Sequence, residues 1–255
     1  MFELAPDLVM LLIAAGFAAG FIDSIAGGGG LITVPALMLA GVPPAQALAT
    51  NKVQGTFGAA TAAISYAARG LVDPRRQWCA ALMAAAGGIA GAALVSHVPT
   101  DALRMVLPMV LIGVAVFFAV KRGLNDMDRT QRIAPALFIM TAVPLVGFYD
   151  GLLGPGAGSF YMIAFVTLAG FGVLKATAHT KLLNLFSNLG GLLTFALIGQ
   201  PLWLLGILMG LAQIGGAALG ARLAARIGAR LIKPLLVVTS GGLALRLIWQ
   251  MIQTR

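Results

Sequence analysis

The sequence predicts an all-α membrane protein made of two inverted repeats, each a broken-helix hairpin followed by three transmembrane helices. Hydrophobic residues make up 60% of the 255 residues and charged residues only 10%, with a mean hydropathy of +0.96. A water-soluble domain of this length could not bury so much apolar surface. Apolar stretches of about 20 residues match a hydrocarbon core of about 30 Å, whereas a β-barrel would alternate over about ten residues. A glycine-rich pattern also occurs twice along the chain.

Ten apolar segments follow one another along the chain, so we expect about eight to ten helices. The segments are 7–26, 31–41, 45–68, 77–97, 102–121, 133–153, 158–171, 174–198, 201–222 and 230–251. Two of them, 31–41 and 158–171, reach only about half to two-thirds of the hydrocarbon core. Each follows a glycine-rich break, and a long helix, its break and the short helix together form a broken-helix hairpin. Four prolines are expected to kink or start helices: Pro35, Pro108, Pro144 and Pro234.

Basic residues cluster in three connections, 69–76, 121–132 and 222–233. Because Lys and Arg concentrate in cytoplasmic loops, we expect these connections to face the cytoplasm and both termini to lie on the periplasmic or extracellular side. The net charge of +9 therefore reflects topology, and nucleic acid is not an expected partner because no basic stripe is interleaved with aromatic residues. The N-terminus carries Glu3 and Asp7, unlike a secretory signal peptide, so the first segment is expected to be a retained helix.

The two halves of the chain carry related motifs. The orientation makes the hairpins enter from opposite sides, which divides the chain into a first repeat, 1–122, and an inverted second repeat, 123–255. Matching positions are Gly20-Phe21-Ile22-Asp23 with Gly147-Phe148-Tyr149-Asp150, Gly27 with Gly154, Leu39-Ala40-Gly41 with Leu168-Ala169-Gly170, Lys52 with Lys181, and Phe57 with Phe186. Inverted repeats with broken helices are typical of secondary transporters.

Each glycine-rich break is expected to bind an anion. A helix that starts inside the membrane presents free backbone N–H groups and the positive end of its dipole, and glycine lets a ligand approach closely. Irregular backbone at that depth is tolerated only within protein or at a cavity. We therefore expect the two short helices to point towards each other near the bilayer midplane. Scattered glycines are instead expected to serve helix packing: Gly87, Gly88, Gly215, Gly216 and Gly220.

Ionisable side chains within the apolar segments sharpen this prediction. Lys52 and Lys181 could neutralise an oxyanion, and Asp23 and Asp150 could pair with them when the site is empty. The aspartates could equally cap the breaks or couple transport to H+ or Na+, and His179 could relay a proton. The residues predicted to bind substrate are Gly27, Gly28, Gly29, Gly30, Asn51, Lys52, Gln54, Gly154, Gly156, Gly158, Lys181, Asn184 and Asn188.

Two stretches carry a family resemblance: GFIDSIAGGGGLITVPALMLAGVPPAQALATNKVQGTFG and GFYDGLLGPGAGSFYMIAFVTLAGFGVLKATAHTKLLNLFSN. The sequence resembles the sulfite exporter TauE/SafE family, also described as the toluene-sulfonate uptake permease group, over essentially the whole chain. The resemblance implies secondary transport of sulfur-containing anions, such as sulfite, sulfoacetate or other organosulfonates, often outward across a bacterial inner membrane. The second half departs from the first, with Pro155 and Ala157 in its break and with His179 and Thr180 where the first half has Thr50 and Asn51.

Two other functions stay open. A cation or metal permease could use Asp23 and Asp150 as ligands, although two intramembrane lysines make such a site electrostatically poor. A membrane scaffold without transport activity would keep the polar residues packed and dry. No HExxH, GxSxG or Walker motif is present, so we expect neither an enzyme nor a cofactor. The single Cys79 excludes an internal disulfide and a cysteine-based metal site. The expected partners are a small anion, the lipid bilayer, a coupling ion and a second copy of the chain.

Overall fold

The computed structural model describes residues 5–95, 125–198 and 201–232, together with positions 116, 120, 234, 235, 238 and 249. These residues form helices and contain no strand, as predicted. The helices are α1 Pro6–Ala26, α2 Gly30–Leu39, α3 Pro44–Ala67, α4 Pro74–Leu94, α5 Pro135–Met140, α6 Ala142–Leu152, α7 Ala157–Thr167, α8 Val173–Ile198 and α9 Trp203–Ile227. The predicted segment 102–121 and most of 230–251 lie outside the described residues.

Five helical stretches of the described chain are long and apolar enough to cross a membrane: Pro6–Ala26, Pro74–Leu94, Pro135–Leu152, Val173–Ile198 and Trp203–Ile227. The predicted all-helical, multi-pass class is therefore confirmed. The 24 residues of α3 could also span at about 1.5 Å per residue, but α3 carries several polar side chains. By contrast, α2 and α7 have 10 and 11 residues and reach about half of the hydrocarbon core, as expected for the short helices.

Proline and glycine mark the helix ends. Proline takes the first position of α1, α3, α4 and α5, where a backbone N–H would have no helical partner. Gly27 ends α1 with a φ of +78° and donates its N–H to the Asp23 carbonyl. Gly41 and Gly170 follow the two short helices with φ of +85° and +74°. The repeated Leu-Ala-Gly motif thus ends both short helices in the left-handed conformation that glycine adopts without steric cost.

The expected kink at Pro144 divides the predicted segment 133–153 into α5 and α6. The division falls at Thr141, whose φ of −120° and ψ of −68° are not helical. Proline has no N–H to bond the carbonyl of Met140, four residues earlier, and its ring crowds that carbonyl. The helical hydrogen bonds are therefore interrupted one turn before Pro144.

The boundary predicted at residue 222 is wrong, because α9 continues to Ile227. Arg222 and Arg226 lie on its last two turns and not in the connection 222–233. Arginine is a good helix former, and its long stem lets the guanidinium reach water from a helix end. The helix ends at Gly228, which has a φ of +66°.

Glycines bring two pairs of helices into close contact, α1 with α9 and α6 with α4. A Cβ added at Gly20 would lie against the backbone of Gln213, and one added at Gly147 would lie against the backbone of Ala84. Four of the five glycines assigned to packing, Gly87, Gly88, Gly216 and Gly220, likewise face atoms of a neighbouring helix closely. The fifth, Gly215, meets only the ring of Phe17. Small residues of this kind let membrane helices approach closely.

The segment 125–132 crosses the N-terminal end of α8. Asp128 accepts a hydrogen bond of 2.9 Å from the Gly172 N–H and pairs with Lys175 at 2.5 Å. Asp126 accepts hydrogen bonds from backbone N–H groups of α8 and of the turn after α9. Carboxylates are favoured here by the positive end of the helix dipole. The hydrogen bond from Gly172, followed by that from Lys175, holds the pKa of Asp128 below its ordinary value.

Neighbouring glycines of α9 give a matched test of this packing. Gly216→Ala would place a methyl group against the backbone of α1, and overpacking of this kind typically costs about 1–3 kcal/mol. We expect the melting temperature to fall by about 2–12 °C at about 2–4 °C per kcal/mol. Gly215→Ala is the control, because its methyl group meets only a movable ring 3.3 Å away. Equal melting temperatures for the two variants, measured in detergent, would contradict the packing role.

Asp128→Asn tests the contact between the segment 125–132 and α8. Because the folded-state pKa lies below the unfolded value, the stabilisation is present above the unfolded pKa and is lost as the pH falls through the folded one. We expect the wild type to melt about 2–4 °C above Asp128→Asn at pH 7, and the gap to close below about pH 4. Thermal melting from pH 7 to pH 3 measures this gap, and a gap that does not change with pH would show that the carboxylate charge is irrelevant.

Candidate functional site

The two glycine-rich breaks meet in the structure. A Cβ added at Gly158 would lie 2.5 Å from the Cα atom of Gly27, so both positions require glycine at this contact. The Ser159 hydroxyl donates a hydrogen bond of 2.8 Å to the carbonyl of Ala26, at the end of α1. The first turn of α7 is thus joined directly to the first break, and the expected convergence of the two breaks is observed.

A small cavity lies where the breaks meet. Its volume is about 20 Å³, counted as the space open to the centre of a water molecule, which is room for about one water. The residues that line it are Asp23, Gly27, Gly29, Gly30, Asn51, Gly55, Asp150, Gly154, Gly156, Gly158, Asn184, Asn188 and Gln213. Most of the predicted site residues therefore come together around one space. Gly28, Lys52, Gln54, Lys181 and His179 are predicted site residues that do not line it.

Two ion pairs cross between the halves of the chain. Lys52 pairs with Asp150 at 2.6 Å, and Lys181 pairs with Asp23 at 3.1 Å. The side chains are 1% and 2% exposed in the first pair and 0% and 16% exposed in the second. A buried charge is tolerated when it is paired and hydrogen-bonded, which explains why each lysine lies against a carboxylate. Neither lysine lines the cavity; each contacts an aspartate that does.

The two carboxylates are held unequally. Asp150 accepts hydrogen bonds from three side chains: Lys52, Asn184 at 2.9 Å, and Ser187. Lys52 also donates to the backbone carbonyl of Asp150. Asp23 accepts from Lys181 and from the backbone N–H of Gly29, both at 3.1 Å. The Asp23 carboxylate is therefore the less tightly held of the two.

This inequality can be traced to the sequence of the two long polar helices. Asn184 and Ser187 stand three and six residues after Lys181, whereas Gly55 and Gly58 stand three and six residues after Lys52. Glycine has no side chain to donate, so α3 offers Asp23 no counterpart of the amide and hydroxyl that hold Asp150. The two half-sites differ chemically through these positions, and not through the departures at 155, 157, 179 and 180 noted in the sequence.

Asn51, Asn188 and Gln54 belong to a network beside the cavity. The Asn51 side-chain oxygen accepts from the Thr33 hydroxyl at 2.7 Å and from the Gln54 amide at 3.2 Å. Asn188 donates to the carbonyl of Asn184 at 2.7 Å. An asparagine side chain accepts hydrogen bonds at its oxygen and donates them from its nitrogen. The bonds from Thr33 and Gln54 both use the Asn51 oxygen, so its amide nitrogen is the atom available as a donor at the cavity. Gln54 supports Asn51 from outside the cavity.

His179 lies in an aromatic cluster, apart from the cavity. Its ring packs edge-on against the rings of Phe165 and Phe171, at 5.7 and 4.9 Å between centroids. Its Nδ1 atom lies 2.9 Å from the carbonyl of Lys175, one turn earlier in α8. The ring therefore packs among aromatic side chains and does not line the cavity.

Two cavity residues were missed by the sequence analysis, Gly55 and Gln213. Gly55 stands three residues after Lys52, on the same face of α3, and that spacing could have identified it. Gln213 is the one polar residue between Leu204 and Ala221 of an apolar spanning helix, which is itself a signal of a buried contact.

The comparisons with known proteins give a consistent family. The family model described as "Sulfite exporter TauE/SafE" matches residues 12–247. A probable membrane transporter protein of Sinorhizobium sp., ORF9, is 54% identical over 248 residues, covering 97% of this chain and 95% of that protein. The probable membrane transporter protein YfcA of Escherichia coli strain K12 is 45% identical over 98% of this chain and 93% of its own. A probable membrane transporter protein of Haemophilus influenzae is 39% identical, covering 97% of both chains. No solved structure matches the chain. The chain therefore belongs to the TauE/SafE sulfite exporter family.

Proposed function

We propose that this membrane protein is a secondary transporter, and not an enzyme, that exports sulfur-containing anions. The substrates would be sulfite, sulfoacetate or other organosulfonates, moved by alternating access around the cavity between the two breaks. The carrying observation is the pair of crossed lysine–aspartate contacts, in which each aspartate lies just before a glycine-rich break. The family and the names of its relatives support transport, and the site supports a small anion.

The chemistry of the site favours an oxyanion because it already holds two of them, the carboxylates. A sulfonate or sulfite group offers negatively charged acceptor oxygens to the same donors that now hold Asp23, the Lys181 ammonium and the Gly29 N–H. Charge-assisted hydrogen bonds of this kind are the strong ones. In this proposal Asp23 is an internal competitor, and the substrate displaces it more readily than it displaces Asp150.

The size of the cavity implies a conformational step. Room for about one water cannot hold a sulfite ion, so binding requires the breaks to move apart. Separating Gly27 from Gly158 would open the space on one side, and the crossed ion pairs would close it again after release. The observed arrangement then corresponds to a sealed state between an inward-open and an outward-open one.

Charge balance favours a coupling ion. Two lysines and two aspartates at the site sum to no net charge, so a bound anion adds at least one negative charge to a low-dielectric region. A proton or Na+ on the released Asp23 carboxylate would offset one of these negative charges. We propose H+ as the ion, because a protonated carboxylic acid needs no additional ligands, with Na+ as the alternative.

The reciprocal packing supports the proposed pair of inverted repeats, 1–122 and 123–255. In the first half α1 packs against α9 of the second half, and in the second half α6 packs against α4 of the first. We place the protein in the bacterial inner membrane, with both termini on the periplasmic side, because of the basic connections between segments. A homodimer remains our expectation for the assembly.

The scaffold alternative is favoured by one observation, the nearly dry and fully paired state of the lysines. The cation permease is less favoured, because both candidate ligands, Asp23 and Asp150, are already bound to lysine ammonium groups. Flux measurements separate all three functions: the scaffold carries neither ion, and the permease carries only the cation.

Lysine variants in proteoliposomes test the proposal. Lys181→Gln removes a charge-assisted donor worth about 1.5–3 kcal/mol, which corresponds to about 10–150-fold in affinity. We expect sulfite flux at subsaturating concentration to fall by at least about tenfold, and Lys52→Gln to have a similar effect. Lys175→Gln is the matched control on the same helix, since its side chain is exposed and pairs with Asp128.

Folding is checked by size-exclusion chromatography, and Lys181→Arg preserves the charge if the glutamine variant does not fold. Imposed H+ and Na+ gradients in the same vesicles identify the coupling ion. Wild-type vesicles without anion flux, or unchanged flux in both lysine variants, would contradict the proposed mechanism.

A further inference from the structure

Gln213, in the middle of α9, lines the cavity without a partner. The residue is 3% exposed, and its side chain forms no hydrogen bond with any residue that the structure describes. Native proteins rarely leave a buried amide unpaired, and this one opens on the cavity, where a water or a bound anion can complete its hydrogen bonds. An amide of this kind at a cavity wall points to a ligand that completes its hydrogen bonds.

The position of Gln213 relates it to the weaker half-site. A Cβ added at Gly58 would collide with the Gln213 side-chain oxygen, so the amide fills the space that a side chain at position 58 would occupy. Position 58 corresponds to Ser187, whose hydroxyl holds Asp150 in the other half. The Gln213 amide thus stands where the first repeat lacks a hydroxyl, yet it does not bond Asp23.

The place beside Asp150 that corresponds to Gln213 carries no amide. Gly20 packs on the backbone of Gln213, and the corresponding Gly147 packs on the backbone of Ala84. Gln213 and Ala84 therefore occupy equivalent places, and only one of them carries a polar side chain. The Gln213 amide therefore has no counterpart at the place that Ala84 occupies beside the Asp150 half-site.

We propose that Gln213 is a specificity-determining residue that contacts the bound oxyanion on the Asp23 side. When Asp23 is displaced, the side-chain N–H groups of Gln213 donate to an oxyanion oxygen, and Gly58 keeps the amide in place by leaving room for it. A neutral donor binds a compact oxyanion without adding a third positive charge, so the amide affects which anion binds and leaves the charge balance unchanged. This inference rests on the proposed anion site and extends it to a residue outside the two repeated motifs.

Binding of sulfite and of sulfoacetate to the purified full-length protein, measured by thermal shift, tests the inference. Gln213→Met keeps an unbranched side chain of similar length but removes the amide, and we expect sulfite affinity to fall by about fivefold to tenfold. Gln213→Glu adds a negative charge and is expected to abolish binding of both anions. Sulfoacetate has a second anionic group that reaches other donors, so the ratio of the two affinities is expected to change in Gln213→Met. The matched control is Gln77→Met, a buried glutamine of α4 that bonds the His179 carbonyl away from the cavity.

Gly58→Ala provides an independent variant that moves the amide without removing it. It is expected to weaken sulfite binding in the wild type and to have no further effect in Gln213→Met. Unchanged sulfite affinity in Gln213→Met would overturn the inference while leaving the anion site intact. If Gln213→Met lowers the affinities for both anions equally and also lowers the melting temperature of the ligand-free protein, Gln213 has a packing role and the inference is overturned as well. If the wild type binds neither anion, the proposed function fails and the inference fails with it.

Discussion

The fold depends on one constraint, the cost of placing two lysine charges inside a membrane. Lys52 and Lys181 have no access to water, so each needs a carboxylate within hydrogen-bond distance. Each finds that carboxylate at the end of a broken helix in the other half of the chain. The two halves are therefore joined at the centre by charge, and the helices around them must hold the breaks together.

Small residues make that arrangement geometrically feasible. Gly27 and Gly158 let the two breaks touch, and Gly20 and Gly147 let the long helices that precede the breaks pack closely on their neighbours. Because the packing is close, the cavity at the centre has room for only about one water molecule. In the proposed mechanism this site opens at Asp23, the carboxylate that is held by fewer donors.

The sequence predicted the components of the site better than their connections. Helix-breaking glycines and intramembrane ionisable groups are costly in lipid, so Asp23, Lys52, Asp150 and Lys181 stand out in an apolar chain. The crossing of the pairs could not be predicted, since local spacing gives each lysine two equivalent carboxylates and only tertiary packing selects one. Histidine as a residue type suggested a proton relay, but the sequence could not show that His179 packs against the rings of Phe165 and Phe171 and does not line the cavity. Gln213 was missed because its amide occupies the space that Gly58 leaves, and only the packing of α9 on α3 brings these two residues together.

The central claim is that Asp23 and the transported anion compete for the same donors. An internal competitor lowers the apparent affinity by the fraction of sites that it occupies, and removing it restores that affinity. In a thermal-shift titration with sulfite, with Asp128→Asn as the surface control, Asp23→Asn is therefore expected to be stabilised at lower sulfite concentrations than the wild type. A sulfite response in Asp23→Asn that is equal to or weaker than that of the wild type would contradict the competition.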